Sequence, residues 1–107
     1  KTTTENPGID IKGKPGSAIR TIMSGVVTTI TYIRGYGTTI IIDHGGGFYT
    51  VYSHVTNIQT HVDSETRSGD VIAYMGDSGS INGSKLHFEI WGEGKKLNPE
   101  KWLSKQQ

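Results

Sequence analysis

The chain contains no cysteine. That excludes a disulfide framework and any thiolate metal site. It has no apolar run long enough to span a bilayer, and no helical period is sustained before its last residues. A one-sided charge is missing too. The formal net charge is +1, and the lysines are scattered, with Lys95 and Lys96 the adjacent pair. Nucleic-acid binding, which needs a basic stripe, is therefore excluded. No internal repeat is present. The glycine-rich segments lack the strand-to-helix context of a phosphate loop. Gly76-Asp-Ser-Gly-Ser80 lacks the strand–turn–helix elbow of a serine nucleophile.

What remains is a polar but foldable chain of 107 residues, with 33% hydrophobic residues, 20% charged residues and 15 glycines. That length suits one domain with one modest core. The chain starts at Lys1 without a methionine or signal peptide, so it is expected to be a cut fragment of a longer protein.

Residues 1–7 are polar, end in Pro7 and read as a flexible lead-in to a domain over 8–107. Short strands are predicted at Gly8–Ile11, Ala18–Ile22, Val26–Ile33, Thr38–His44, Phe48–Val55 and Asp70–Met75. Thr38–His44 is a nearly continuous apolar run, as for a strand covered on both faces. Gly45-Gly-Gly47 is expected to close a hairpin. Residues 56–69 have no sustained period and read as loops with one short turn or strand. Gly76–Gly83 is a turn-rich loop. Asn98 can cap a short helix running through Trp102, with Pro99 at its first position. The fold class is thus all-β: an antiparallel sandwich or open barrel with a short C-terminal helix.

Gly83–Trp91 carries the strongest pattern. Leu86, Phe88 and Ile90 alternate with Lys85, His87 and Glu89, so the first set faces a core and the second faces solvent or a groove. On Phe48–Val55, Thr50, Tyr52 and His54 share one face by the same rule. A lone strand histidine is first a surface or hydrogen-bonded residue. His61, in a polar loop, and His44, at a strand end, keep that reading. His54 and His87 could line one sheet surface with Asp10, and two imidazoles plus a carboxylate are the ligand chemistry of a catalytic zinc.

The order of segments resembles the lysostaphin-type, LytM-like zinc metallopeptidases. The residues that carry the likeness are Asn6–Asp10, Ile22–Val27, Gly35–Gly45, Tyr49–His54, Gly69–Gly79 and Leu86–Glu89, and it runs from about residue 6 to residue 104. The resemblance implies an antiparallel β-domain of the duplicated hybrid motif type with an open groove, in enzymes that cut peptide cross-links of bacterial peptidoglycan. It further implies a first motif His-x-x-x-Asp that binds zinc. Asp10 keeps the carboxylate, but Asn6 stands where the histidine belongs. His54 matches a mid-chain histidine that polarises water or stabilises the oxyanion, and His87 matches the third zinc ligand. Lys85 replaces a catalytic histidine. Asparagine is a weak zinc ligand, and a protonated lysine has no lone pair.

The departures resemble the EnvC and NlpD branch, whose domains activate N-acetylmuramoyl-L-alanine amidases during cell division and do not cut. On that likeness the chain is expected to be no enzyme and to hold no cofactor, with Asp10 and His87 as remnant ligands. Asn6, Asp10, Tyr52, His54, Lys85 and His87 are expected to line a groove for a peptidoglycan amidase, in the periplasm or cell envelope. Peptidoglycan and divisome proteins are further expected partners; nucleic acid is not. The alternatives are a residual zinc endopeptidase of peptidoglycan cross-links, or a scaffold or peptidoglycan-binding module of an envelope complex.

Overall fold

The computed structural model describes residues 8–14, 16–76 and 84–98. Asn6, the loop over 77–83 and the helix expected beyond Asn98 lie outside the described residues. Ten strands form among them: β1 (Ile9–Lys12), β2 (Ala18–Arg20), β3 (Gly25–Ile33), β4 (Gly37–Gly45), β5 (Phe48–Ser53), β6 (Val55–Thr56), β7 (Glu65–Thr66), β8 (Val71–Met75), β9 (Lys85–Gly92) and β10 (Lys95–Leu97). No described residue is helical, so the all-β expectation holds. The short β10 had no sequence signal of its own, because Lys95-Lys-Leu97 shows no alternation.

The large sheet runs β1-β9-β5-β4-β3-β7, with β10 also paired to β9. All its pairings are antiparallel. One edge of β9 takes β5. The other is shared, β1 pairing Lys85–Phe88 and β10 pairing Ile90–Gly92. The β4–β5 hairpin turns through Gly46 and Gly47 at φ 62° and 85°, the paired positive φ that favours glycine in the tightest hairpins. A small second sheet runs β2-β8-β6.

The inward faces of both sheets meet in one apolar cluster. Val27, Ile40, Ile42, Tyr52, Phe88 and Ile90 come from the large sheet, and Ile19, Val55, Ile72 and Met75 from the small one. The alternation along β9 is as expected, with Leu86, Phe88 and Ile90 buried in this core.

Tyr52 corrects the sequence reading. It pairs with Ile40 and Phe88 across the sheet, so all three point to the same face, and that face is the core. Tyr52 is 1% exposed, its ring 5.2 Å from that of Phe88, and it does not line the groove. Its hydroxyl lies near the Thr21 and Thr50 side chains and the Ile22 backbone but makes no hydrogen bond of good geometry. Burial pushes the phenol above its ordinary value, against those polar neighbours.

An unsatisfied buried hydroxyl contributes little, whereas the ring fills the core. Tyr52→Phe is therefore expected to change stability by no more than about 1 kcal/mol, and Tyr52→Ala to lose about 3–5 kcal/mol. Urea denaturation of both variants checks this. A large loss in Tyr52→Phe would show that the hydroxyl is well bonded after all.

Candidate functional site

The outward face of the large sheet carries the polar residues. Cross-strand pairing sets Asp10, His87, Ser53 and Thr39 in one row over four adjacent strands, because directly paired residues share a face. The Ser53 and Thr39 hydroxyls are 3.0 Å apart, and Thr39 donates to the Gly37 carbonyl at 3.1 Å. One step along lie Ile41, Val51 and Glu89. The next holds Asp43, Tyr49, Trp91 and Lys96.

Basic and acidic side chains alternate in a row over β9 and its neighbours β1 and β10. The Lys85 ammonium lies 3.3 Å from Asp10 Oδ2, and His87 Nδ1 lies 2.7 Å from Asp10 Oδ1. His87 Nε2 lies 2.8 Å from Glu89 Oε2, an oxygen that Lys96 Nζ also approaches at 3.5 Å. Trp91 donates its indole N–H to Glu89 Oε1 at 2.9 Å, and Lys96 Nζ sits 5.4 Å from the centre of the Trp91 ring. Gly8 lies close by, where a Cβ would come within 2.8 Å of both Glu89 Cγ and the Phe88 carbonyl oxygen. Glycine there lets the backbone pass over the His87–Glu89 pair.

His87 and Glu89 are each only 9% exposed, so their charges depend on one another. An ionised carboxylate only accepts hydrogen bonds. An imidazole with a carboxylate on each nitrogen therefore donates from both and is held as imidazolium. The hydrogen bond to Glu89 raises His87 above its ordinary value; burial opposes it, and Asp10 adds to the rise. Burial alone would raise both carboxyls. Hydrogen bonds from His87 and Lys85 instead hold Asp10 below its ordinary value, and those from His87 and Trp91, with the Lys96 charge, do the same for Glu89.

His54 does not follow the alternation of β5. It lies between β5 and β6 at φ 65°, a left-handed conformation uncommon outside glycine, so Thr50 and Tyr52 face the core while His54 is freed from their face. Its N–H donates to the Tyr36 carbonyl at 2.8 Å, and its carbonyl accepts from Gly76 N–H at 3.2 Å. The Tyr36 ring centre is 6.3 Å from that of His54 and 5.0 Å from that of His87. Tyr36 is thus a site residue that the sequence reading passed over as part of a turn. The available signal was a large aromatic between two turn glycines, where a small polar residue is ordinary.

Of the expected set, Asp10, Lys85 and His87 come together in direct contact, and His54 joins them through Tyr36. Tyr52 does not, and Asn6 lies outside the described residues. His44 is a structural histidine, with Nδ1 at 2.8 Å from the Ser24 carbonyl and Nε2 at 2.7 Å from the Thr50 hydroxyl. Beside the charge row a trough of about 420 Å³ is lined by Thr28, Thr29, Ile41, Tyr49, Val51, Trp91 and Gly94. A larger cleft of about 690 Å³, near Ser24, Asp43, Glu65 and Arg67, holds none of the expected site residues.

A catalytic zinc needs lone pairs from three protein ligands. His87 offers none while both its nitrogens donate, and Asp10 already carries two donors. Among the described residues no three histidine or acidic side chains form a metal-holding group. As arranged, these side chains do not fit the metal.

The model of peptidase family M23 matches residues 4–99. The outer membrane antigenic lipoprotein B of Haemophilus influenzae is 41% identical over 92% of this chain and 24% of its own length. The murein hydrolase activator NlpD of Escherichia coli is 39% identical over 92% of this chain and 26% of its own. The chain therefore spans about a quarter of the length of these curated relatives. A solved structure of LytU superposes with a TM-score of 0.84 at 27% identity, covering 92% of this chain and 72% of that one.

The charge row ties stability to pH. The His87 contribution is fully present below its ordinary value of 6.5 and is lost as pH rises through its raised value. The contributions of Asp10 and Glu89 are present above 3.8 and 4.5 and are lost as pH falls through their lowered values. Stability is expected to be greatest between these limits and to decline on the alkaline side. In His87→Gln, which cannot titrate there, the alkaline decline should be smaller, with an overall loss of about 3 kcal/mol from stranding Glu89. Urea midpoints across pH read both effects; identical profiles for the two proteins would remove His87 from the account.

Proposed function

The chain belongs to peptidase family M23, and from that premise we propose that this domain is a non-catalytic member that binds and activates a peptidoglycan amidase in the bacterial envelope. One observation carries the reading. The His87 imidazole, which would have to face a metal, is closed on both nitrogens by Asp10 and Glu89, and Lys85 occupies the remaining side of Asp10. Hydrolysis by metal-activated water needs an open position, and here the polar groups are spent on one another.

The same face suits recognition. The Tyr36 and Tyr49 rings are exposed, and the apolar trough runs beside a row of fixed charges. Aromatic anchors next to placed charges are the usual makings of a protein interface. Asp10, His54, Lys85 and His87, with Tyr36 in place of Tyr52, are the proposed contact residues. The murein hydrolase activator name of NlpD supports an amidase as partner. An extracytoplasmic location goes with it, supported by the name of the lipoprotein relative. No helix among the described residues is long and apolar enough to cross a membrane.

A second reading has one observation in its favour. Asp10 and His87 still stand 2.7 Å apart, so a ligand from elsewhere in a longer protein could rebuild a zinc endopeptidase.

Dye release from labelled peptidoglycan separates the two. The domain alone is expected to release nothing, with or without zinc, and to stimulate release by a cognate amidase. Tyr36→Ala and Lys85→Glu, verified as folded by circular dichroism, should each weaken stimulation about tenfold, which corresponds to 1.4 kcal/mol of binding. Zinc-dependent release by the domain alone would overturn the proposal in favour of the peptidase, and unchanged stimulation by both variants would move the interface off this face.

A further inference from the structure

The misfit between these side chains and a divalent metal has a positive counterpart. We infer that the hydrogen bonds of Lys85 and His87 to Asp10 take the place a divalent cation would hold there, and that the row Lys85–Asp10–His87–Glu89–Lys96 is a metal-independent clamp holding edge strand β1 onto β9. The inference rests on the non-catalytic part of the reading above and not on the identity of any partner.

β1 is only four residues long, and Asp10, Ile11 and Lys12 are exposed. It ends at Gly8 on one side and Gly13 on the other, and it shares its edge of β9 with β10. So short an edge strand has little apolar burial to hold it: Ile9 packs against the core, whereas Ile11 is 40% exposed. The side chain of Asp10 adds two bonds to β9, to Lys85 and to His87, at 3.3 and 2.7 Å. Both partners project from β9 on the same face, two residues apart, so one carboxylate spans them with one oxygen each.

The polar contacts also run in the order a clamp requires. Lys85 and His87 flank Asp10, and His87 and Lys96 flank Glu89. A divalent cation added at Asp10 would have to share the carboxylate with an ammonium and displace a ring N–H from it. Those are electrostatic and hydrogen-bonding costs that act in the same direction. The lysine that removes the chemistry is thus the residue that makes the metal unnecessary for the strand's placement. β1 carries Asp10 of the charge row, so the clamp also fixes one end of the charged surface proposed for a partner.

The test uses the purified domain. Elemental analysis is expected to find far less than one zinc per chain, with a melting temperature unmoved by chelator or added zinc. Hydrogen exchange read by NMR is expected to be about two- to fivefold faster over Ile9–Lys12 in Lys85→Met, with Lys85→Arg close to wild type. Lys85→Gln reads the same amides should Lys85→Met not fold. Stoichiometric zinc with chelator-sensitive melting would overturn the inference, as would wild-type exchange of β1 in the neutral variants. Failure of amidase stimulation alongside these expected results would remove the proposed partner and leave the clamp standing.

Discussion

β9 has no free side. Its two edges are paired to β5 and to β1 with β10, one face lies in the core, and the other is nearly closed. Alternation places Lys85, His87 and Glu89 on that second face, where Glu89 and His87 reach little water. Burying an ionised carboxylate without a partner is prohibitive, so Glu89 must find positive charge nearby. His87, Lys96 and the Trp91 indole provide it. The character of the site follows from this one constraint: a strand held on every side whose polar groups have chiefly one another to bond.

Much of the architecture was legible because it rests on local rules. The triple glycine at 45–47 marked the β4–β5 hairpin, the β-branched run at Val26–Thr31 marked β3, and the alternation Leu86/Phe88/Ile90 marked the core face of β9. Tyr52 and His54 show where those rules end. Parity assigned both to one face, and parity is valid only while the strand continues. The chain leaves β5 after Ser53, and His54 takes a left-handed backbone conformation, so its direction is set by tertiary hydrogen bonds that no spacing announces. Which face of β5 is the core depended on pairing with Ile40 and Phe88, information that lies on the two neighbouring strands.

Three members of the candidate site were legible, but not their wiring. Asp10, Lys85 and His87 stood out as chemically notable types, yet their contacts depend on the register Asp10↔His87 between segments 77 residues apart. Tyr36 carried a fainter signal. An aromatic between two turn glycines is unusual but names no contact, and only the fold brings the β3–β4 turn over both imidazoles.

In the proposed reading, side-chain contacts take the place of a metal, and what this face can do changes with them. A metal centre stabilises charge that develops during reaction, because it keeps a position open for the reacting oxygen. An ammonium and an imidazolium already saturated by carboxylates cannot follow such a change without breaking bonds they have made. They present instead a fixed pattern of charge on a rigid sheet, with an apolar trough alongside and a tyrosine at its rim. Fixed, pre-formed charge discriminates among surfaces and steers encounter more than it adds raw affinity. That is the physical ground of the proposed reading, in which a family M23 scaffold whose polar groups satisfy one another serves to choose a partner rather than to cut a bond.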